Sequence, residues 1–242
     1  MASKPPRAAP AALPADLPSA LAALEARASA ETLAGMARYG LPQEGALGVA
    51  VGDIQRVAKL LGHDHALAAE LWQTGIFEAR MLAAYVDEPA KVSVAQMDRW
   101  ARDFDNWGIC DTVCFVLFDR TPHAWARVEA WSGRPEEFVR RAAFALLWGL
   151  TRHDREAEDA RFLHGLALIE TAATDERHFV QKAINMALRA TGKRNPALRK
   201  AAFAVALRLA DAVEPGPRWV GKDALRELQP TARQPPGKRT DR

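Results

Sequence analysis

Cysteine and tyrosine each occur only twice in the 242 residues, and aromatic residues make up only 7% of the chain. So little cysteine excludes a small secreted fold built on disulfides. No run approaches about 18 consecutive apolar residues, which excludes an evident membrane-spanning helix. Prolines interrupt the segment 1–18 too often for the apolar part of a signal peptide. We therefore expect a cytoplasmic protein that does not associate with membranes.

Signals for β-strands are also scarce, because β-branched runs are few whereas Ala, Leu, Arg and Glu are abundant. Apolar residues recur every three or four positions in segments that predict about ten helices and no strand, so the expected fold class is all-α. The segments are separated by breaks that contain Gly, Pro, Asp or His. These breaks lie at 40–42, 62–64, 87–89, 119–122, 133–135, 153–154 and 192–196.

Several predicted helices share a sequence pattern. Phe138-Val-Arg-Arg-Ala-Ala-Phe aligns with Phe179-Val-Gln-Lys-Ala-Ile-Asn at an offset of 41, and Arg140-Arg-Ala-Ala-Phe aligns with Arg199-Lys-Ala-Ala-Phe at an offset of 59. An offset near the first value is the length of a helix pair in HEAT-type repeats, which bury their apolar faces against neighbouring pairs. We therefore predict an α-solenoid, a superhelix of HEAT-like helical repeats.

Positive charge is concentrated in the second half of the chain. Residues 1–133 hold 12 Lys and Arg against 16 Asp and Glu, a net charge of −4, whereas residues 134–242 hold 21 against 14, a net charge of +7. The repeated cationic position, at Arg80, Arg140, Arg141 and Lys182, would line the concave face of a solenoid. The pattern predicts a concave basic groove and a polyanionic partner.

The two ends of the chain lack helical periodicity. We predict a disordered Ala/Pro-rich leader over residues 1–18 and a disordered basic tail over 230–242. Between them, residues 19–229 are expected to form a single repeat domain.

The segment from Asp103 to Asp111 contains an unusual cluster of acidic residues, an asparagine and a tryptophan. Trp107 and Asp111 are four residues apart, so they share one helix face. Asp105 or Asn106 is the expected N-cap of that helix. Because Asp111 lies in an apolar stretch, its carboxylate must be paired, exposed or functional. Packing in the core remains an alternative role for Trp107.

Other chemistries find no support in the sequence. The six histidines form no metal-binding pattern, and no phosphate-binding glycine loop is present. Cys110 and Cys114 are interpreted as small buried residues. We expect neither a metal nor an organic cofactor.

From about Leu24 to Glu227 the chain resembles the DNA alkylation repair family of HEAT-like-repeat DNA glycosylases. The motifs that carry the resemblance are Gly35-Met-Ala-Arg-Tyr-Gly-Leu, Gly48-Val-Ala-Val, Leu71-Trp, Ile76-Phe-Glu-Ala-Arg, Asp105-Asn-Trp with Asp111, Phe138-Val-Arg-Arg-Ala-Ala-Phe, and Phe179-Val-Gln-Lys-Ala-Ile-Asn with Gly192-Lys-Arg-Asn-Pro.

The resemblance implies hydrolysis of the N-glycosidic bond of positively charged alkylated purines in duplex DNA, such as N3-methyladenine and N7-methylguanine, in base excision repair. It implies that Asp111 and Trp107 are catalytic and that Met186 contacts the sugar. The expected contacts to the DNA backbone are Arg141, Arg189, Lys182, Arg140 and Arg80. The mechanism requires a carboxylate that is open to the sugar and not locked in a permanent ion pair.

Two positions depart from the family pattern. Gly108 stands where the family commonly has an acidic residue, and glycine loosens a helix by about 1 kcal/mol. Met186 stands where the family commonly has a second tryptophan, and methionine lacks a π face. Two alternatives therefore stay open: a non-catalytic protein that binds distorted or damaged duplex, and a helical-repeat scaffold for other proteins. For the glycosylase we expect a monomer without an obligate protein partner.

Overall fold

The computed structural model describes residues 12–229, and within this range the chain forms thirteen α-helices, two short 3-10 turns and no strand. The fold class is therefore all-α, as predicted. The helices are α1 Leu17–Glu25, α2 Ala30–Met36, α3 Val51–Leu61, α4 His65–Gln73, α5 Phe77–Val86, α6 Val94–Arg102, α7 Trp107–Val116, α8 Ala124–Ser132, α9 Glu137–His153, α10 Asp159–Ala172, α11 His178–Arg194, α12 Pro196–Ala210 and α13 Pro215–Leu228. The 3-10 turns are Ala37–Tyr39 and Phe118–Arg120.

The chain divides into two compact units, one ending at Glu156 and the other starting at Ala157. The first unit contains α1 to α9, and the second contains α10 to α13. The single domain predicted over residues 19–229 stays a prediction. None of the helices in the described range is both long enough and apolar enough to cross a membrane.

The sequence repeat corresponds to a structural repeat. Helices α9 and α11 each span 17 residues, and their first residues, Glu137 and His178, are separated by the first of the two sequence offsets. Helix α12 begins at Pro196, and its separation from Glu137 equals the second offset. The repeated pattern therefore marks the same first turn in three helices.

The last predicted break, over 192–196, contains the observed break but begins too early. Helix α11 continues through Gly192 to Arg194, and only Asn195 separates it from α12. A Cβ atom at position 192 would lie 2.5 Å from Leu228 Cδ2, so Gly192 allows α13 to approach α11 and does not end the helix. The side chain of Asn195 then caps α12 by accepting a hydrogen bond from the backbone N–H of Leu198 at 2.8 Å.

Stacked aromatic rings form the centre of the first unit. The rings of Trp72 and Trp100 lie parallel with their centroids 4.0 Å apart, and Phe118 packs against Trp100 at 6.1 Å. The buried indole of Trp72 donates a hydrogen bond to Asp103 Oδ2 at 2.9 Å, so the polar atom of the ring has a partner. This cluster fixes the end of α6 and the segment that leads into α7.

The leader and the tail lie largely outside the described residues. The tail over 230–242 falls entirely outside them, as do residues 1–11 of the leader. Helix α1 begins at Leu17, inside the predicted leader, because Asp16 caps it through a 2.8 Å bond from the N–H of Ser19. The N–H of Leu13 also donates to the carbonyl of Leu60.

Candidate functional site

The first turn of α7 is fixed by its N-cap. The side chain of Asn106 accepts a hydrogen bond from the N–H of Ile109 at 2.9 Å, so of the two expected capping residues Asn106 is the one used. Asp105 in turn accepts a 2.7 Å hydrogen bond from the amide of Asn106. Helix α7 therefore starts at Trp107, and Trp107 and Asp111 occupy the same helix face, one turn apart.

The indole of Trp107 is half-buried, and a hydrogen bond fixes one edge of the ring. Its Nε1 donates a 2.9 Å hydrogen bond to the backbone carbonyl of Tyr39, which lies at the end of the 3-10 turn after α2. The ring is thus not simple core, because its polar edge is fixed on the neighbouring turn and part of its surface stays accessible.

Gly108 makes room for the segment that covers the start of α7. A Cβ atom at this position would lie 2.8 Å from Leu41 Cδ2 and 3.3 Å from Phe77 Cζ. The loss of helix propensity expected from glycine is therefore accompanied by close packing of Leu41 and Phe77. The departure from the family pattern at this position has a steric reason.

Glu78, which the sequence analysis leaves without a role, holds the segment before α3. Its carboxylate is fully buried and accepts hydrogen bonds from the backbone N–H groups of Leu47, Gly48 and Val49 at 2.8, 2.7 and 3.0 Å. Charge-assisted hydrogen bonds of this kind fix a loop firmly. A buried glutamate in the Ile76-Phe-Glu-Ala-Arg motif is the sequence signal for this clamp.

Asp111 forms an ion pair with Arg141. Helices α7 and α9 pack side by side, and the guanidinium donates from Nε to Oδ1 at 2.8 Å and from Nη2 to Oδ2 at 2.7 Å. From the sequence we expect Asp111 outside an ion pair and Arg141 on the DNA backbone. The structure corrects both expectations, because Arg141 is only 3% exposed and its guanidinium is directed at the carboxylate.

The ion pair sets the chemical state of the carboxyl group. Burial raises the pKa of Asp111 above its ordinary value, and the charge and hydrogen bonds of Arg141 oppose that rise. The carboxylate side chain keeps 15% of its surface exposed. A carboxylate offers about four acceptor positions, and the two bonds from Arg141 leave the others available.

The two cysteines attach α7 to α9. Cys110 and Cys114 are free, buried thiols. Their Sγ atoms donate to the carbonyls of Phe138 at 3.6 Å and Ala142 at 3.7 Å. Their interpretation as small buried residues is confirmed, and they help to hold Asp111 and Arg141 in register.

Arg80 and Arg140, the other predicted cations of the first unit, are half-buried. The guanidinium of Arg80 lies 5.2 Å from the centroid of Trp72 and donates to the carbonyls of Trp72 and Asp103, both at 3.4 Å. Arg80 therefore stabilises the aromatic cluster and the end of α6. Arg140 lies in the first turns of α9, next to Arg141.

In the second unit, one face of α11 carries the remaining predicted residues. Lys182, Met186 and Arg189 follow each other at spacings of four and three residues, and Lys193 comes four residues later, so all four share a face. Lys182 is exposed, with its Nζ 5.0 Å from the ring centroid of Trp219, and Met186 is half-buried. Lys193 is a further candidate on this face and was not predicted from the sequence.

Glu227 of α13 neutralises part of this face. Both Arg189 and Lys193 donate to its carboxylate, and the hydrogen bond from Lys193, followed by the charge of Arg189, lowers the pKa of Glu227. These pairs are partly exposed, so a competing anion can replace Glu227 at small cost.

In the described residues, no group of three or more His, Cys, Asp or Glu side chains is placed to hold a metal ion.

Comparison with solved structures identifies the architecture. One structure described as "A new family of proteins related to the HEAT-like repeat DNA glycosylases with affinity for branched DNA structures" matches with a TM-score of 0.73 and 20% sequence identity. The match covers 88% of this chain and 96% of that chain. The fold is therefore that of the HEAT-like repeat proteins, as the internal sequence repeat predicts.

The family model described as "DNA alkylation repair enzyme" matches residues 20–228. The chain belongs to the DNA alkylation repair enzyme family. No curated protein matches it.

Proposed function

We propose that this protein is a DNA glycosylase that removes positively charged alkylated purines, such as N3-methyladenine and N7-methylguanine, from duplex DNA. The observation that carries the proposal is a carboxylate, Asp111, held in a fixed orientation one helical turn from the half-buried indole of Trp107. Membership of the DNA alkylation repair enzyme family supports it.

The chemistry needs little assistance at the base. An alkylated purine already carries a positive charge, so the C1′–N bond breaks with its electron pair going to the purine. Positive charge then develops on the deoxyribose, and a carboxylate directed at the sugar stabilises that charge. Water adds to C1′ and loses one proton, for which Asp111 is the acceptor. The indole of Trp107 favours the same cation through its π face.

In this mechanism Arg141 is a positioning residue and not a contact to the DNA backbone. Its two hydrogen bonds orient the carboxylate, and its positive charge opposes protonation of Asp111. The same charge weakens the field of the carboxylate at the sugar. The condition derived from the sequence, a carboxylate outside an ion pair, is therefore not met. The proposal keeps Asp111 as the group that orients and deprotonates water through the acceptor positions that Arg141 leaves, and its direct stabilisation of the sugar cation is weak.

Contacts to the DNA backbone are proposed chiefly for the exposed face of α11. Lys182 and Arg189 flank Met186, which would contact the sugar, and Arg140 adds a cation in the first unit. Arg80 is the weakest candidate, since its guanidinium already binds Trp72 and Asp103. Cations of this kind neutralise phosphates without reading the sequence.

A second function, binding of damaged or distorted DNA without base removal, is favoured by two observations. Asp111 is paired with Arg141, and Met186 replaces a π face with a thioether. The matched solved structure, described by its affinity for branched DNA, is consistent with this alternative.

A base-release assay separates the two functions. Duplex DNA that contains N7-methylguanine or N3-methyladenine is incubated with the protein, and free base is measured against the spontaneous rate. We expect Asp111→Asn to lower the release rate about 100-fold or more, because a transition-state contact is lost. Glu25→Gln is the control, since it removes one exposed carboxylate of the first unit far along the chain from α7. Thermal denaturation of both variants separates loss of catalysis from loss of the fold, because Asp111→Asn leaves the buried Arg141 without its partner.

The same variants are tested for binding to undamaged and branched DNA. DNA binding without release by the wild-type protein would support the second function and reject the first. Equal release by wild-type protein and Asp111→Asn would reject Asp111 as the catalytic group. If no DNA is bound even at low salt, the helical-repeat scaffold becomes the better interpretation.

A further inference from the structure

A cleft of about 140 Å³ lies among α6, α8 and the first turn of α9. Its polar walls are formed by Arg102 from α6, Arg127 from α8 and Arg134 from the segment between α8 and α9. The lining of the cleft also includes Asp98, Trp131 and Val139. We call this feature the arginine cleft.

The side chains that line the arginine cleft carry an excess of positive charge. Asp98 accepts hydrogen bonds from Arg127 Nη1 at 3.0 Å and from the indole of Trp131 at 2.8 Å. Glu136 pairs with Arg134 in an exposed bidentate contact. Three arginines and one carboxylate, Asp98, therefore line the cleft, while Glu136 binds Arg134 and Glu137 lies in the adjoining first turn of α9.

Two of the three arginines have N–H donors that form no hydrogen bond with any residue of the range 12–229. The Nε atom of Arg127 is buried and has no hydrogen-bond partner among residues 12–229. The guanidinium of Arg102 is exposed and forms no hydrogen bond or ion pair within the same range, although its charge helps to lower the pKa of Glu136 after the hydrogen bond from Arg134. A buried donor without an acceptor is unfavourable unless a ligand or water satisfies it.

The first turn of α9 adds a second source of positive potential. Val139, in that turn, lines the cleft, and the N-cap residue Glu136 makes no side-chain capping bond. The first backbone N–H groups of a helix lack partners within the helix, and the helix dipole is positive at this end. The carboxylate of Glu137, in the same turn, offsets part of this potential, so the arginines are the main attraction for a ligand, and they favour an oxyanion.

The arginine cleft is distinct from the carboxylate site. Val139 and Arg141 are two residues apart on α9, so their side chains point to nearly opposite faces of the helix. Arg141 is directed at Asp111, whereas Val139 faces the cleft. A ligand in the cleft would therefore not displace the Asp111–Arg141 pair.

We propose that the arginine cleft binds one phosphate group of the DNA backbone. A water molecule takes about 30 Å³ of liquid, so the cleft has the volume of about four or five waters, which is enough for a phosphate group. Guanidinium groups match phosphate oxygens in geometry and charge. The contact fixes DNA at the N-terminal end of α9 without reading its sequence, and it rests on the DNA binding proposed above.

The decisive experiment compares two arginines of one helical turn. Arg99 and Arg102 both lie in the last turn of α6, and both are exposed, but only Arg102 lines the cleft. Their effects on the helix dipole are therefore matched. DNA affinity of the full-length protein is measured at about 50 and about 200 mM salt for the wild type, Arg102→Gln and Arg99→Gln.

Loss of one phosphate contact changes the salt dependence in a predictable way. The ratio of affinities at the two salt concentrations should fall about three- to fourfold in Arg102→Gln and stay unchanged in Arg99→Gln. Glu136→Gln should strengthen DNA binding, because it removes the carboxylate that competes for Arg134. Equal salt dependence in Arg102→Gln and the wild type would overturn the proposal.

A second measurement distinguishes DNA from a free anion. Inorganic phosphate is titrated while the NMR signal of the Arg127 Nε–H group is followed, and we expect a saturable shift that Arg102→Gln abolishes. A phosphate-dependent shift with an unchanged salt dependence of DNA binding would overturn the DNA contact and assign the cleft to a free oxyanion. Base release does not enter these readouts, so failure of the proposed glycosylase activity is recognised separately.

Discussion

At the scale of single residues, the Asp111–Arg141 pair shows how one contact changes the interpretation of two side chains. A buried carboxylate needs a partner, and Arg141 supplies two hydrogen bonds and a compensating charge. The arginine that the sequence places on DNA therefore orients the catalytic candidate instead. A substitution that removes either partner leaves the other charge without compensation.

A second buried carboxylate, Asp119, links stability to pH. Its side chain is fully buried against His153 of α9, and its Oδ1 atom has no hydrogen-bond partner in the described part of the chain. Burial raises the pKa of Asp119 to about 6, although the hydrogen bond with His153 opposes the rise. The folded protein therefore retains a proton that the unfolded chain releases near pH 4.

The sign of the pH effect follows from this difference. The stability contributed by the protonated carboxyl is complete below about pH 4 and is lost as the pH rises through about 6. Between pH 4 and pH 7, we expect the free energy of unfolding of the wild type, relative to Asp119→Asn, to fall by about 2 to 3 kcal/mol. Urea denaturation across this range measures it, and a difference that stays constant with pH would contradict the raised pKa.

At the scale of secondary-structure elements, the start of α7 is a compromise between helix propensity and packing. Asn106 caps the helix, Trp107 is held on the carbonyl of Tyr39, and Gly108 lets Leu41 and Phe77 approach. Contacts with residues outside α7 therefore fix the position of its first turn. Its position determines where Asp111 lies one turn later.

The substitution Gly108→Ala tests which effect is larger. Helix propensity alone would stabilise the protein by about 1 kcal/mol. The added Cβ would lie 2.8 Å from Leu41 Cδ2, and overpacking of this kind costs about 1 to 3 kcal/mol. We expect a net loss of about 1 kcal/mol in thermal or urea denaturation, together with altered fluorescence of Trp107. A more stable variant would show that Leu41 moves aside freely.

Sequence reasoning succeeds where a feature is local or repeated. A cap at Asp105 or Asn106 and the equivalent starts of α9, α11 and α12 are predicted by patterns within one turn or one repeat, whereas the choice of Asn106 comes from the structure. The extension of α11 through Gly192 was not predicted, because the close approach of Leu228 comes from α13.

Pairing between elements is the part that the sequence does not specify. Asp111 and Arg141 lie far apart along the chain, on different helices, and helical periodicity gives the face of each residue but not its partner. The same reason hides Glu227, which binds Arg189 and Lys193 from another helix. The candidate residues on α7 and α11 could therefore be selected from the sequence, whereas their electrostatic state required the packed helices.

At the scale of the whole molecule, the uneven charge distribution predicts that the proposed DNA binding depends on salt. Residues 134–242 carry a net charge of +7, against −4 for residues 1–133. Three phosphate contacts would lower the affinity about 40-fold between about 50 and about 200 mM salt, because each contact releases counterions. Fluorescence anisotropy with duplex DNA measures this, and binding that is absent or insensitive to salt would contradict a nucleic-acid partner.

The contacts of Cys110 and Cys114 with the backbone of α9 have a consequence for observing motion in the first unit. Both thiols are enclosed while α7 and α9 remain packed, and burial raises the pKa of Cys114 well above its ordinary value. A thiol-labelling reagent reaches them only when the two helices separate. The labelling rate of the native protein therefore counts the openings of the helix pair that holds Asp111 against Arg141.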